Sequence, residues 1–153
     1  VGSLAGRYVA GCHGHYSAAK WALEGLSEAL AFEMAEFDVR VALIEPGSVP
    51  TPAWEKGTPP PPDSHYMRSL QRLGQWATHT MKNPAATLDV AKAVAHAIES
   101  DTPHFRYPVG QDAIEDIAGR ASVSDDEWIE ANRLQGDAFR QRWKEIVGVD
   151  YFG

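Results

Sequence analysis

The sequence predicts an α/β protein with a doubly wound parallel sheet, and three observations support this fold class. Apolar residues recur every three or four positions between Tyr16 and Phe37, which is typical of an amphipathic helix. The run Val39–Ile44 follows directly and is apolar at nearly every position, which favours a strand buried on both faces. Helical patterns and a second short strand follow later in the chain. A helix that leads straight into a buried strand forms half of a βαβ unit.

The composition excludes several classes of protein. The 153 residues, 44% of them hydrophobic, fit one globular domain. No apolar run approaches the roughly 18 residues that a membrane span needs. The net charge of −7, with scattered Lys and Arg, argues against nucleic acid as the main partner. The single Cys excludes an intrachain disulfide framework and suits a reducing compartment, so we expect a cytoplasmic protein.

The remaining elements follow from helical periodicity, turn residues and prolines. Residues 1–14 are rich in Gly and predict a loop, and the first helix is expected to end at Asp38 in a left-handed conformation. Glu45-Pro46-Gly47 is expected to end the strand. Prolines in 48–65, four of them consecutive at 59–62, predict an extended surface loop. Beyond the loop we predict helices and one edge strand over these ranges: helices 66–82, 87–99, 112–119 and 124–147, and a strand over 104–109.

One group of residues suggests chemistry. Tyr16 and Lys20 are four positions apart on the predicted helix, so they share a face one turn apart. An ammonium group near a phenol stabilises the phenolate, which allows a tyrosine to act as an acid or base. Ser3, from the preceding loop, is a hydroxyl that can hydrogen-bond a carbonyl or alcohol. The Tyr-x-x-x-Lys pattern alone also occurs as a surface pair on many helices.

The surroundings of this pair resemble the short-chain dehydrogenase/reductase (SDR) family. The spacing Ser3–Tyr16–Lys20 matches the family's Ser-x12-Tyr-x3-Lys pattern, and Pro46-Gly47-Ser48-Val49-Pro50-Thr51 matches its Pro-Gly-x-Val-x-Thr turn. The match covers residues 1 to about 55. It implies a Rossmann-like fold, a cofactor that is NAD or NADP, and a reaction that interconverts an alcohol and a ketone or aldehyde.

The resemblance also implies a role for each matching residue. Tyr16 would donate and accept the proton, and Ser3 would orient the substrate oxygen. Lys20 would hold the nicotinamide ribose hydroxyls and stabilise the Tyr16 phenolate, so both side chains belong to the cofactor site. The turn would lie beside the nicotinamide through four residues: Pro46, Gly47, Val49 and Thr51.

The departures from the family pattern shape our expectation for the whole chain. The family's Gly-x-x-x-Gly-x-Gly phosphate turn, which precedes its catalytic Ser, has no counterpart here. We therefore expect a single partial domain, the C-terminal part of the fold without its N-terminal half, which by itself neither binds dinucleotide nor turns over substrate. Residues 1–55 would form the catalytic segment, 56–110 the substrate loop with helices and last strand, and 111–153 a variable helical tail.

The sequence is compatible with two hypotheses about the function. The first is an NAD(P)-dependent oxidoreductase acting on a small molecule, with Trp54 after the turn resembling members that accept bulky apolar alcohols such as steroids or retinoids. The alternative is a truncated, non-catalytic interaction module. The family resemblance implies homodimers or homotetramers of the complete protein, since its members pack the helix that carries Tyr and Lys against a second copy.

The remaining candidates are less specific. Cys12, His13 and His15 are possible soft metal ligands, but a tetrahedral site needs more ligands at suitable spacing, and none follows closely. We therefore expect a substrate-side loop and no metal. Four large side chains in or after the proline loop fit either core packing or an apolar lid: Trp54, Tyr66, Met67 and Trp76.

Overall fold

The computed structural model describes residues 1–56 and 61–153. These residues form a parallel pair of strands, β1 (Leu43–Pro46) and β2 (Arg106–Val109), flanked by helices. The helices are α1 (Gly14–Ala35), α2 (Met67–Thr80), α3 (Thr87–Glu99), α4 (Gln111–Ala121), α5 (Asp125–Arg133) and α6 (Gly136–Val147), with short 3-10 turns at Leu4–Gly6 and Pro52–Lys56. The parallel pairing and the crossover through α2 and α3 confirm the predicted α/β class.

The predicted strand over Val39–Ile44 is wrong at both ends. The ladder joins Leu43–Pro46 to Arg106–Val109, whereas residues 39–42 lie outside it and Val39 is exposed. Parallel pairing needs a neighbour, and β2 reaches only from Arg106 onward. Pro46 closes the strand because its ring nitrogen cannot donate to the ladder. Gly2 occupies the other edge, where its N–H donates to the carbonyl of Ile44 at 2.7 Å.

The helix boundaries follow the sequence closely except in the tail. α1, α2, α3 and α4 lie within a few residues of their predicted ranges. Asp38 adopts the expected left-handed conformation with φ 57°. The predicted helical stretch over 124–147 is divided into α5 and α6, because Leu134 and Gln135 are extended and Gly136 has φ +54°. Of the proline run, Pro59 and Pro60 lie outside the described residues.

The main core is aromatic and joins the start of the chain to its end. Tyr8 packs against Trp76, Trp128 and Trp143, with ring centroids 5.6–6.4 Å apart. A smaller apolar cluster of Ile44, Ala85 and Val109 lies under α3. No helix among the described residues combines the length and apolar character that a membrane crossing requires. Through the aromatic core, the helical tail (residues 111–153) packs onto the loop that connects Ser3 to Tyr16.

Candidate active site

A cavity of about 630 Å³ brings together most of the residues that the sequence singles out. Ser3 and Tyr16 line it from the first turn of the chain and from α1. The turn that follows β1 forms another side of the cavity through Pro46, Gly47, Val49 and Thr51. Lys20 is absent from the lining and lies one helical turn behind Tyr16. The cavity thus joins segments that are more than 40 residues apart in the chain.

Ser3 is placed by the short 3-10 turn that it caps. Its Oγ accepts a hydrogen bond from the Ala5 N–H at 3.2 Å, because the first N–H groups of a helical turn have no partner within it. The same hydroxyl lies 3.5 Å from the carbonyl oxygen of Pro46, to which it donates a long hydrogen bond. The serine hydroxyl is therefore held at the contact between the two loops that border the cavity.

Tyr16 and Lys20 share one face of α1, as the i, i+4 spacing predicts. The Lys20 Nζ lies 5.6 Å from the centroid of the Tyr16 ring and donates a hydrogen bond to the carbonyl of Gly2 at 3.2 Å. Tyr16 is 40% exposed, and its hydroxyl forms no hydrogen bond within residues 1–56 and 61–153. The phenol is thus open to a ligand in the cavity, with a cation close behind it.

His13 also borders the cavity. Its imidazole stacks on the Tyr16 ring with centroids 4.7 Å apart and planes at 18°. Burial, assisted by the neighbouring His15, lowers the pKa of His13 below its usual value of 6.5. Cys12 is exposed, and in the part of the chain that the structure describes no three His, Cys, Asp or Glu side chains converge as metal ligands would.

The turn after β1 is fixed by hydrogen bonds on its outer side. The Gly47 N–H donates to Val109 at 2.9 Å, and the Ser48 carbonyl accepts from Ala85 at 3.0 Å. The N–H groups of Val49 and Thr51, in contrast, have no partner in the two described ranges. The turn therefore keeps two backbone donors without a partner among the described residues.

The rest of the cavity lining is mostly apolar and aromatic. Trp54 lies over the turn and donates its indole N–H to the carbonyl of Val49 at 2.8 Å. Sequence reasoning missed the remaining apolar lining residues, which come from three separate segments: Leu4, Tyr8, Leu73 and Val90. Of the four candidate lid residues, Trp54 and Trp76 line the cavity, whereas Tyr66 is 70% exposed and outside it.

A carboxylate cluster, which the sequence did not indicate, lies beneath α1. Arg106 of β2 donates to Glu24 at 2.9 Å and to Glu28 at 2.7 Å. Glu45 of β1 is fully buried, with Arg7 and Arg106 nitrogens 3.5 and 3.7 Å from its Oε1. Burial, together with Glu24, raises the pKa of Glu45 to about 7. This cluster joins the helix that carries Tyr16 to both strands.

Comparisons with known proteins agree with this geometry. Residues 1–60 match the family model described as short chain dehydrogenase. A Helicobacter pylori protein named "probable short-chain type dehydrogenase/reductase VdlC" is 52% identical over 113 residues, which cover 72% of this chain and 41% of that protein. Human retinol dehydrogenase 5 is 28% identical over 130 residues, or 74% of this chain and 40% of that protein.

A solved structure is also similar over most of the chain. The crystal structure of a short-chain dehydrogenase from Streptomyces avermitilis superposes with a TM-score of 0.67 at 28% sequence identity. The match covers 86% of this chain and 48% of the bacterial one. The chain spans about half the length of the curated relatives that it matches.

Proposed function

Since the chain belongs to the short-chain dehydrogenase/reductase family, we propose that the protein is an NAD(P)-dependent oxidoreductase that interconverts an alcohol and a ketone or aldehyde. The observation that carries this proposal is the meeting of Ser3, Tyr16 and the turn 46–51 in one cavity. A proton-exchanging phenol, a hydroxyl and unused backbone donors at one cavity are what carbonyl–alcohol chemistry requires.

In this proposal each polar side chain has one task. The Tyr16 hydroxyl, which has no partner within the described ranges, gives a proton to the substrate oxygen in reduction and removes it in oxidation. The Ser3 hydroxyl, at the contact of the two cavity loops, hydrogen-bonds that oxygen and fixes its position. Lys20 supplies the nearby positive charge that favours the phenolate. General acid–base catalysis of this kind contributes roughly 10²–10⁴-fold to a rate.

The described residues fit the nicotinamide end of a dinucleotide. The unpartnered N–H groups of Val49 and Thr51 are suitable donors for a carboxamide oxygen, and Pro46 and Gly47 border the same space. The Lys20 ammonium, whose bond to Gly2 is its one hydrogen bond within the described ranges, has further donors for ribose hydroxyls. When bound, the nicotinamide supplies or accepts the hydride.

The cavity walls support a bulky apolar substrate. The apolar part of the cavity lining offers no charge to a ligand. It consists of Leu4, Tyr8, Leu73, Val90, Trp54 and Trp76. Apolar pockets with a few convergent polar groups are typical of sites for small apolar molecules. The similarity to retinol dehydrogenase 5 is in keeping with this proposal. An apolar secondary alcohol or ketone should therefore have a lower KM than a charged one of equal size.

The experiment is to replace Tyr16 with Phe in the complete protein and to measure turnover and cofactor affinity together. Tyr16→Phe removes only the phenolic oxygen, so we expect turnover to fall by at least about 100-fold while the cofactor Kd stays within about threefold. Tyr66→Phe is the matched control, because Tyr66 is exposed and outside the cavity. Retention of more than about a tenth of the activity in Tyr16→Phe would refute the role given to Tyr16.

One observation favours a second candidate function, association through α1 without catalysis. The face of α1 that lies away from its buried residues exposes Leu26 and Leu30. Trp21 and Phe32 are also exposed, on a second side of the helix. Exposed apolar surface of this kind is typical of interfaces with another protein copy. We would measure the mass of the protein in solution by sedimentation, with Leu26→Glu as the interface variant and Glu130→Lys, at an exposed position of α5, as the control. A monomer at all concentrations would contradict this candidate.

A further inference from the structure

Helix α4 carries two buried carboxylates whose presence the proposed chemistry does not explain. Asp112 and Asp116 are four residues apart, so they project from the same face of α4 toward the cavity walls. Asp112 is 8% exposed and Asp116 is fully buried. Neither is paired with Lys, Arg or His anywhere in residues 1–56 and 61–153. A buried carboxylate without a cation costs stability, so its hydrogen bonds are the place to look for its role.

Asp112 holds the turn on the cofactor side. Its Oδ2 accepts a hydrogen bond from the backbone N–H of Ser48 at 2.6 Å. Gly47 lies directly against this carboxylate, and a Cβ at position 47 would overlap it. The buried Ser48 hydroxyl is in turn 2.7 Å from the Thr80 hydroxyl of α2. Ser48 is the central residue of the turn, between Gly47 and Val49, which both line the cavity.

Asp116 holds a second part of the cavity lining. Its Oδ2 accepts a hydrogen bond from the Trp76 indole N–H at 2.8 Å. Trp76 lines the cavity and stacks on Tyr8 with centroids 6.4 Å apart and planes at 23°. Burial raises the pKa of Asp116 to about 7, so the carboxyl is partly protonated at neutral pH. A neutral carboxyl is the form that a buried site without a cation tolerates.

We propose that Asp112 and Asp116 are positioning residues that act on two different sides of the cavity. Asp112 orients the turn 46–51 through the Ser48 N–H and so sets cofactor affinity. Asp116 orients Trp76 and so sets the shape of the wall that a substrate contacts. The two assignments rest on the proposed function, because they divide its site into a cofactor side and a substrate side. The two assignments also make the helical tail (residues 111–153) part of the site, because α4 belongs to that tail.

The first test is a kinetic comparison of Asp112→Ala and Asp116→Ala in the protein. We expect Asp112→Ala to raise the KM for cofactor at least about tenfold and to leave the KM for substrate within about threefold. Asp116→Ala should raise the KM for substrate at least about tenfold and leave the KM for cofactor within about threefold. A role in stability alone would move both constants together or neither. Either of those two outcomes, in both variants, would overturn the proposal.

Conservative variants keep the test valid if an Ala variant does not fold. Asp112→Asn and Asp116→Asn each retain an oxygen that can accept the bond from Ser48 or Trp76. We expect them to recover most of the lost affinity on their own side of the cavity. Asn variants that are as impaired as the Ala variants, although folded by circular dichroism, would show that these hydrogen bonds do not position the site.

The second test does not depend on activity. Hydrogen–deuterium exchange of the ligand-free protein reports on the Ser48 amide, whose bond to Asp112 protects it. Asp112→Asn should leave exchange of residues 46–51 nearly unchanged, and Asp112→Ala should accelerate it at least about tenfold. Asp116→Ala should not affect it. If this pattern appears in a protein without oxidoreductase activity, the proposed function fails and the placement of Ser48 by Asp112 stands; its absence overturns that placement.

Discussion

Glu45 offers the sharpest test of how the charged cluster under α1 affects stability. Its side chain is fully buried, and neither carboxylate oxygen has a hydrogen-bond partner within the described ranges. Two arginine nitrogens lie at 3.5 and 3.7 Å, which is long for an ion pair, and Glu24 is a second carboxylate nearby. Loss of water around Glu45 is the main cause that raises its pKa, and the arginines only partly offset it.

The magnitude follows from the difference between the folded and unfolded pKa of Glu45. A rise from 4.5 to about 7 corresponds to about 3 kcal/mol, at about 1.4 kcal/mol per pKa unit. The folded state holds the proton more tightly than the unfolded state. The contribution to stability is therefore fully present below about pH 4.5 and is lost as the pH rises through about 7. Glu45→Gln removes this dependence because the amide does not titrate.

The assay is urea unfolding followed by tryptophan fluorescence at several pH values from about 4.5 to 8. We expect the difference in free energy of unfolding, Glu45→Gln minus the unaltered protein, to increase by about 3 kcal/mol between the lowest and the highest pH. Glu36→Gln, at an exposed position just after α1, is the matched control and should show a constant difference. A constant difference for Glu45→Gln as well would refute the reasoning.

Four further changes test the site and the packing. Lys20→Ala should weaken both cofactor binding and turnover, because one ammonium is proposed to serve the ribose and the Tyr16 phenolate; normal cofactor affinity and normal kcat would contradict this. Gly119→Ala should destabilise the protein by about 1–3 kcal/mol in urea unfolding, since its Cβ would lie 2.9 Å from Ile146 O. Gly74→Ala, with nothing within 4 Å, should instead stabilise α2 by up to about 1 kcal/mol. Ser124→Ala should cost about 1 kcal/mol by the same assay, because Ser124 caps α5; an unchanged midpoint would show that the cap is dispensable.

Local signals in the sequence were sufficient for most of the fold. The i, i+4 spacing of Tyr16 and Lys20 is a property of any α-helix, so their shared face did not depend on distant contacts. The predicted helix start at residue 124 is close to the start of α5, where Ser124 and Glu127 form a capping box. The residues implied by the family resemblance line one cavity except for Lys20, which lies one helical turn behind Tyr16; their chemical roles stay predictions.

The errors arose where distant residues decide the outcome. Apolar periodicity gave no reason to bury Glu24, yet Glu24 is buried and Leu26 is exposed. Arg106, 82 positions later, binds Glu24, so the partner of this buried carboxylate comes from a distant strand. The register of β1 likewise depends on where β2 begins. Leu73, Val90 and Asp112 join the site only through tertiary packing, and no local pattern marks them.

The contact between Tyr8 and the tail sets the order in which the site is completed during synthesis. Tyr8 lies between Ser3 and Tyr16 in the chain, and its ring packs edge-on against Trp143, about 135 residues later. A ribosome adding roughly 5–20 residues per second needs about 7–27 s to cover that distance. Until then the loop before Tyr16 lacks the aromatic surface that buries it. The loop before Tyr16 is thus translated well before the tail that buries it, and a nascent chain stalled before α6 would expose Tyr8 and Trp128 to chaperones.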